Sequence, residues 1–576
     1  MITALIGHRG VGKTNLLRRL AHLFHHRKDV VVRDLDAEVE ALHRKSIDEI
    51  FKNLGEAEFR KLEAQAFENL RKQHEPGTHL IVALGAGFEF SLPTDVKVVW
   101  VRRPTDSSGR IFLNRPALDE GAPLEQWQKR FSKRQDRYRA LAHQELTLAE
   151  GNLHDFILEE HFFATQTRVL PLALTALPEN FKSPDFFEQR RRWGLKWLEV
   201  RDDLLTDSQI KKLQLNWPEQ NLLYSVRKAP LTQKPSVGAV DWPLELGLPP
   251  FEAEILSIHE RAGSVQATTS KFPPQSSAIL KLAISIESFD ELMQGHRWWM
   301  QDPQKRAFLP RSENGRWQWY RQIFGPQMPL HFFREGDGSS VDQPWLWQTL
   351  ATPKMDQQFA AVLGSPIQHS WTPSFQREFF LEREIPVVAI EVGENEWAQA
   401  IPVLQELGLR YAAVTSPHKQ NAYKLSFNNV SDEAKKLESV NTLVFFDGHW
   451  LGHNTDDKGA RGLFFGEFAD DKPILVWGGG GTKEMLKTTL PKAEFASARE
   501  GKTLTGPVHL VWAVGRGREF KWPEPAVYVQ DVIDLNYTED SPGREIALLA
   551  GSPYKSGETM FIQQGLAQRE FWKRYL

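Results

Sequence analysis

The stretch that most narrows the fold is GHRGVGKT at residues 7–14, because the apolar run MITALI leads into it and the amphipathic run KTNLLRRLAHLF leaves it. Strand, glycine-rich loop and helix in that order make a phosphate cradle. Glycines let the backbone N–H groups turn inward, a lysine reaches the β and γ oxygens, and a hydroxyl at the helix start ligates Mg²⁺. Gly7, Gly10, Gly12, Lys13 and Thr14 are therefore read as the site for a nucleotide's phosphates. The run VVV then ends in Asp34 and Asp36. A strand end there would hold one carboxylate, Asp34, near the metal and the other, Asp36, near a hydroxyl that must lose its proton.

One such unit does not use up 576 residues, a length that predicts about three to five domains. Short apolar runs alternate with amphipathic stretches throughout, which predicts an α/β chain with parallel sheets. Breaks in that pattern divide it into residues 1–165, 166–352 and 353–576. The formal charge of −3 offers no broad surface for nucleic acid, and the absence of cysteine excludes disulfides, thiolate metal sites and a cysteine nucleophile. No apolar run is long enough to span a membrane and no leader pattern opens the chain, so a cytoplasmic protein working on small molecules is expected.

SIDEIFKNLGEAEFRKLE, LIVALGAGFEF, RIFLNRPAL and RYRALA follow the phosphate loop in order, and together residues 1–160 resemble shikimate kinase. The resemblance implies that Asp36, Arg60 and Arg139 hold the hydroxyls and carboxylate of shikimate beside the Gly85 and Gly87 turn. Arg115 would be the lid arginine at the transferring phosphate, with Arg110 nearer the nucleotide. Arginine forks suit that work, since they bind carboxylate and phosphate bidentately. Ala86 stands where the family has a third glycine.

In the middle region, apolar runs repeatedly end in polar residues, as at the mouth of a β/α barrel. His259 and Lys281 end two such runs, 22 residues apart. A lysine in an apolar strand has a lowered pKa and can attack a carbonyl, while an imidazole moves protons. On these residues alone, solvated strand ends remain the alternative. The region also resembles type I 3-dehydroquinate dehydratase. The resemblance implies Lys281 as the Schiff-base lysine, His259 as general acid and base, Glu199, Arg201 and Arg227 as substrate ligands, and Ser339 with Gln343 on a closing loop. Arg316 and Arg321 flank the place of a further family arginine. At roughly 185 residues against a typical ~250, the barrel is expected to have trimmed helices.

The C-terminal region carries VLGSPIQHSWTPSF, VTSPHKQNA, SVNTLVFFDGHWLGHNTDDKGA and ILVWGGGGTKEML. An apolar strand running into Gly478, Gly480 and Gly481 and then a helix is a dinucleotide-binding turn. With its companions it resembles shikimate dehydrogenase. That implies Ser370 and Thr372 on the substrate carboxylate, Lys419 and Asp456 as the catalytic pair, and Thr415, Asn441, Tyr537 and Gln564 around the ring. The substrate lobe would cover about 358–465 and the nucleotide lobe about 466–550. Arg499 would grip a 2′-phosphate, which selects NADPH. Few residues separate Arg499 from VHLVWAV, so one crossover should be short.

The expected fold class is thus a P-loop kinase domain, a shortened (β/α) barrel and a two-lobed dehydrogenase with a Rossmann-like nucleotide domain, in the order of the last three domains of the pentafunctional arom polypeptide. The implied chemistry dehydrates 3-dehydroquinate, reduces 3-dehydroshikimate and phosphorylates shikimate, with a homodimer as the possible assembly. The alternative keeps the outer two activities and makes the middle region a non-catalytic scaffold.

Overall fold

The computed structural model describes residues 1–23, 29–103, 106, 123–148, 170–182, 186–192, 195–228, 231–261, 263–335, 338–367, 370–468, 470–515, 518–538 and 541–576. The chain divides into two compact units. One holds Met1–Ala164 and Thr455–Ala567, and the other holds Thr165–Asn454 and Gln568–Leu576.

In the first unit, β1 (Ile2–Ile6), β2 (Val30–Asp34), β3 (His79–Ala83), β4 (Val96–Arg102) and β5 (Gln144–Thr147) form a parallel sheet in the order β2-β3-β1-β4-β5. Every residue of β1 and β3 is buried, as strands covered on both faces require. The helices are α1 (Lys13–Leu23), α2 (Leu35–His43), α3 (Ile47–Gln73) and α4 (Pro123–Leu141). Ser46 and Glu49 cap α3 reciprocally, satisfying two N–H groups that the helix start leaves open.

The second unit opens with eight parallel strands in chain order: β6 (Leu170–Thr175), β7 (Leu195–Arg201), β8 (Leu222–Ser225), β9 (Ala239–Pro243), β10 (Ile255–Glu260), β11 (Ile279–Ser285), β12 (Arg306–Arg311) and β13 (Phe332–Phe333). The last pairs with the first. Among the described residues, only β12 and β13 lack a shared ladder. The expected trimming falls on particular crossovers. Helices α5 (Phe186–Arg192) and α6 (Asp207–Asn216) follow β6 and β7, but none is present between β8 and β9 among the described residues. One 3₁₀ turn, Leu244–Leu246, links β9 to β10, and five-residue α7 (Val265–Thr269) links β10 to β11. Full helices return with α8 (Phe289–Met300), α9 (Gln318–Phe324) and α10 (Leu346–Ala351).

The same unit continues into β14 (Phe359–Gly364), β15 (Val387–Glu391), β16 (Leu409–Val414), β17 (Thr442–Phe446) and β18 (His449–His453), in the order β15-β14-β16-β17-β18. Asp447 and Gly448, at φ 50° and 78°, turn the β17–β18 hairpin, a backbone that Asp-Gly supplies cheaply. Its helices are α11 (Thr372–Leu381), α12 (Trp397–Glu406), α13 (Lys419–Leu425) and α14 (Asp432–Leu437). One continuous apolar cluster runs from the barrel into this lobe, including Trp319 and Phe359, whose rings stack at 5.9 Å.

The first unit resumes with α15 (Asp456–Phe464) and a parallel sheet of β19 (Ile474–Gly478), β20 (Glu494–Ala496), β21 (Val508–Ala513), β22 (Val529–Asp534) and β23 (Tyr554–Lys555), ordered β20-β19-β21-β22-β23. The helices are α16 (Lys483–Thr489), α17 (Pro542–Ala550) and α18 (Glu558–Trp572), of which the residues up to Ala567 belong to this unit. Residues 497–507, between β20 and β21, contain no helix, so this crossover is a bare loop.

Candidate functional site

Gly7, Gly10 and Gly12 have φ of 151°, 75° and 100°, conformations that a side chain disfavours. A Cβ on Gly7 would stand 2.4 Å from the Val101 carbonyl. Lys13 folds back to donate to the Gly7 carbonyl at 2.7 Å, and the Thr14 hydroxyl donates to Asp34 at 2.9 Å. These groups fit a nucleotide triphosphate with Mg²⁺: N–H groups and a lysine face the phosphates, while hydroxyl and carboxylate oxygens suit the metal. Asp34 also accepts from the Asp36 backbone and so fixes the start of α2. Burial, reinforced by Asp34, raises the Asp36 carboxyl above its usual range.

Arg60 donates to Glu56 at 2.7 Å and to Glu63. A Cβ on Gly85 would meet Glu63 and Asp36, and one on Gly87 would meet Arg60 and Arg134, so the turn is kept bare where these side chains converge. Half-buried Ala86 keeps its Cβ without disturbing it, and its carbonyl accepts from the buried Tyr138 hydroxyl. One assignment needs correction: Arg139 is 60% exposed and pairs with Asp136, away from the cluster, whereas Arg134 reaches the turn. Arg134 and Tyr138 are four apart and share a face of α4; Arg139 is turned off it. Arg110 and Arg115 lie outside the described residues.

In the barrel, Lys281 is 5% exposed and donates to Asp241 Oδ2 at 2.6 Å. Arg227 donates to the same oxygen at 2.8 Å and reaches His259 Nε2 at 3.2 Å. Burial opposes ionisation of Asp241, but Lys281 and Arg227 outweigh it and hold the carboxyl well below its usual range. Burial also lowers the Lys281 ammonium, and burial with the Arg227 charge keeps His259 neutral. Nε2 of His259 therefore accepts from Arg227, and its buried Nδ1 has no partner among the described residues. Glu199 accepts from Thr175 at 2.5 Å and Ser225 at 2.6 Å. Thr175 also meets Ser339, which Gln343 holds at 3.0 Å. Arg201 is clamped by Asp203 at 2.6 and 2.9 Å. Arg316 leaves the barrel to pair with Glu396 of the following lobe at 2.9 Å. Asp241, the hub of the cluster, went unread: a lone acid in AVDWP has no spacing signature.

Beyond the barrel, the same unit gathers Thr415, Lys419 and Asn441. Lys419 opens α13 and its carbonyl accepts from Val440; the Asn441 carbonyl accepts from Val414 at 2.8 Å. The Ser370 hydroxyl donates to Thr372 at 3.1 Å. Behind them buried Gln376 and Gln568 bond each other at 3.0 Å, a pairing across 192 residues that no local pattern reveals. In the first unit, Gln564 donates to Asp456 at 2.7 Å, and the Tyr537 ring packs at a tilt against Phe561, one turn from Gln564. Gly478, Gly479 and Gly480 have φ of 91°, 112° and 35° where β19 ends, and Gly481 continues the turn into α16. This turn fits a pyrophosphate at a helix start. Arg499 is exposed just after β20.

Fold and sites together define a nucleotide-dependent kinase domain fused to a two-lobed dehydrogenase, with a barrel between. Residues 9–160 match the family model for shikimate kinase, and residues 362–443 match that for the substrate-binding domain of shikimate dehydrogenase. The shikimate dehydrogenase (NADP⁺) of Syntrophobacter fumaroxidans is 31% identical over 246 residues, 37% of this chain and 86% of that protein. That of Pyrococcus abyssi is 29% identical over 133 residues, 23% of this chain; the chain spans 50% of that relative's length. The crystal structure of shikimate dehydrogenase from Aquifex aeolicus aligns with 38% of this chain and 92% of its own, at 23% identity and a TM-score of 0.31. The chain belongs to the shikimate dehydrogenase family through its C-terminal part and carries a shikimate kinase domain at its N-terminus.

Proposed function

We propose that the chain is a three-step enzyme that dehydrates 3-dehydroquinate, reduces the resulting 3-dehydroshikimate with NADPH and phosphorylates shikimate with ATP and Mg²⁺. The family matches support the last two activities. The observation that carries the first is Lys281, a buried amine held on Asp241 beside a neutral imidazole.

In the kinase, the bound nucleotide and metal supply the phosphoryl group and neutralise its charge. Asp36, made more basic by burial, takes the proton of the substrate hydroxyl, while Arg60 and Arg134 orient the ring by its carboxylate. In the dehydrogenase, NADPH supplies the hydride. Lys419 donates a proton to the carbonyl oxygen as it becomes a hydroxyl, and Asp456 is held by Gln564. Ser370 and Thr372 hold the carboxylate, and Arg499 meets the 2′-phosphate.

In the barrel, neutral Lys281 attacks the substrate ketone and water leaves as the imine forms. His259 removes a proton next to the imine, the adjacent hydroxyl departs as water with that proton, and hydrolysis frees Lys281. A second reading has its own support: His259 Nε2 already accepts from Arg227 and Nδ1 is sealed, which suits a binding barrel without proton transfer. Borohydride with 3-dehydroquinate separates them. A reduced adduct on Lys281, absent in Lys281→Ala, is expected; no adduct would leave a two-activity enzyme with a non-catalytic barrel.

A further inference from the structure

Of the ion pairs that join the barrel to the substrate-binding lobe, one lies on a short route to Lys419, the proton donor of the reduction proposed above. Arg316, in the segment between β12 and α9, donates to the two oxygens of Glu396 at 3.0 and 2.9 Å. These side chains are 17% and 27% exposed, against 63% and 53% for Arg297 and Glu406 on the same interface, so of the two pairs only the first is shielded enough to hold a fixed geometry. The barrel pins Arg316 in place. Its backbone donates to the Ser312 hydroxyl at 3.0 Å, and Asp342 accepts from that hydroxyl and from the Trp317 backbone. Its guanidinium donates to the Glu287 carbonyl at 3.1 Å and lies 4.6 Å from the centre of the Trp317 ring.

On the lobe side, the Glu396 carboxylate also accepts from the Gly393 backbone at 2.7 Å and so holds the turn between β15 and α12. One residue earlier, the Val392 carbonyl accepts from Nε2 of His418 at 2.7 Å. A carbonyl only accepts, so Nε2 carries the proton and Nδ1 takes the Asn421 amide at 3.2 Å. His418 is fully buried, stacks at 4.9 Å on Trp397, the residue after Glu396, and directly precedes Lys419 at the start of α13. Both ring nitrogens and one ring face of His418 are thus engaged, and two of those three contacts go to the 392–397 turn that Arg316 holds.

We propose that Arg316 and Glu396 are positioning residues for the reduction: through this pair and His418, the barrel fixes where the Lys419 ammonium stands. The inference rests on the dehydrogenase reading of Lys419 and needs no catalysis in the barrel. A proton donor displaced by about 1 Å loses much of its rate, whereas substrate affinity, set by other groups, is spared.

The test uses the full chain with Arg316→Met, Glu396→Gln and, as a control on the same interface, Arg297→Met. Two readouts are taken: steady-state reduction of 3-dehydroshikimate by NADPH, and amide hydrogen exchange of residues 415–425. In Arg316→Met and in Glu396→Gln, kcat should fall about 10-fold with KM within about twofold of the parent chain, and residues 415–425 should exchange about 10-fold faster. The double variant should lose no more than either single one, because each breaks the same link. Arg297→Met should match the parent chain in both readouts. If Arg316→Met and Glu396→Gln also match it, or if only one readout moves in an active chain, the proposal is overturned and the dehydrogenase reading stands. An equal loss in Arg297→Met overturns it too, since the effect would then belong to the interface as a whole. If the parent chain does not reduce 3-dehydroshikimate, yet Arg316→Met and Glu396→Gln speed exchange at 415–425, the link stands and the dehydrogenase reading fails; without that change both fail.

Discussion

At the scale of single residues, ionisation in the kinase site is set by burial. Glu63 is pushed up to about 7 by burial, against the pull of Arg60. The fold therefore favours its protonated form, and stability tied to it is present below about 4.5 and lost as pH rises through about 7. Above that pH the ionised Glu63 also competes for Arg60 with an incoming carboxylate. The KM for shikimate should rise several-fold between pH 6 and pH 8.5, and Glu63→Gln should flatten the rise, as steady-state phosphorylation kinetics would show. Arg134→Met should raise that KM by about 30-fold or more, while Arg139→Met, at an exposed pair, should change it about twofold at most. Equal effects would return Arg139 to the site. RYRALA points to Arg139 and leaves Arg134 outside the motif; the phase of α4 against the Gly85 to Gly87 turn favours Arg134 instead.

Among elements, what was legible depended on how local the constraint is. The phosphate loop and the Gly478 to Gly480 turn are written in adjacent residues whose φ values demand glycine, and both stand where the sequence puts them; the Asp447-Gly448 hairpin is equally local. Asp241 and the Gln376–Gln568 pair join distant segments through single polar residues, so no periodicity announces them. The shortened crossover after β20 was legible as length, but not the clamp beside it. Buried His509 of β21 bridges Asp470 at 2.6 Å and Asp531 at 2.5 Å. Burial opposes its charge, yet the two carboxylates raise its pKa above the usual value. That contribution to stability is complete below about 6.5 and lost as pH rises through the raised pKa. His509→Asn should therefore cost about 1–2 kcal/mol at pH 5.5 and progressively less toward pH 8.5, measured by denaturant unfolding of the chain followed at the nucleotide lobe.

For the whole molecule, compact units and activities do not share boundaries. The barrel and the substrate-binding lobe are parts of one unit, joined by a continuous apolar cluster, the Trp319–Phe359 stack, and the Arg316–Glu396 and Arg297–Glu406 pairs. Reading the sequence by motif separates them near residue 352, because motifs mark sites and not shared cores. Trp319→Ala should cost about 3–5 kcal/mol and shift barrel and lobe together in a single calorimetric transition; two independent transitions would show that they fold separately. Three activities on one chain is the central claim. Its most direct test supplies the purified chain with 3-dehydroquinate, NADPH and ATP with Mg²⁺ and follows NADPH absorbance alongside the phosphorylated product. One NADPH consumed for each shikimate 3-phosphate formed from 3-dehydroquinate is the predicted result, whereas product from 3-dehydroshikimate but none from 3-dehydroquinate would contradict it.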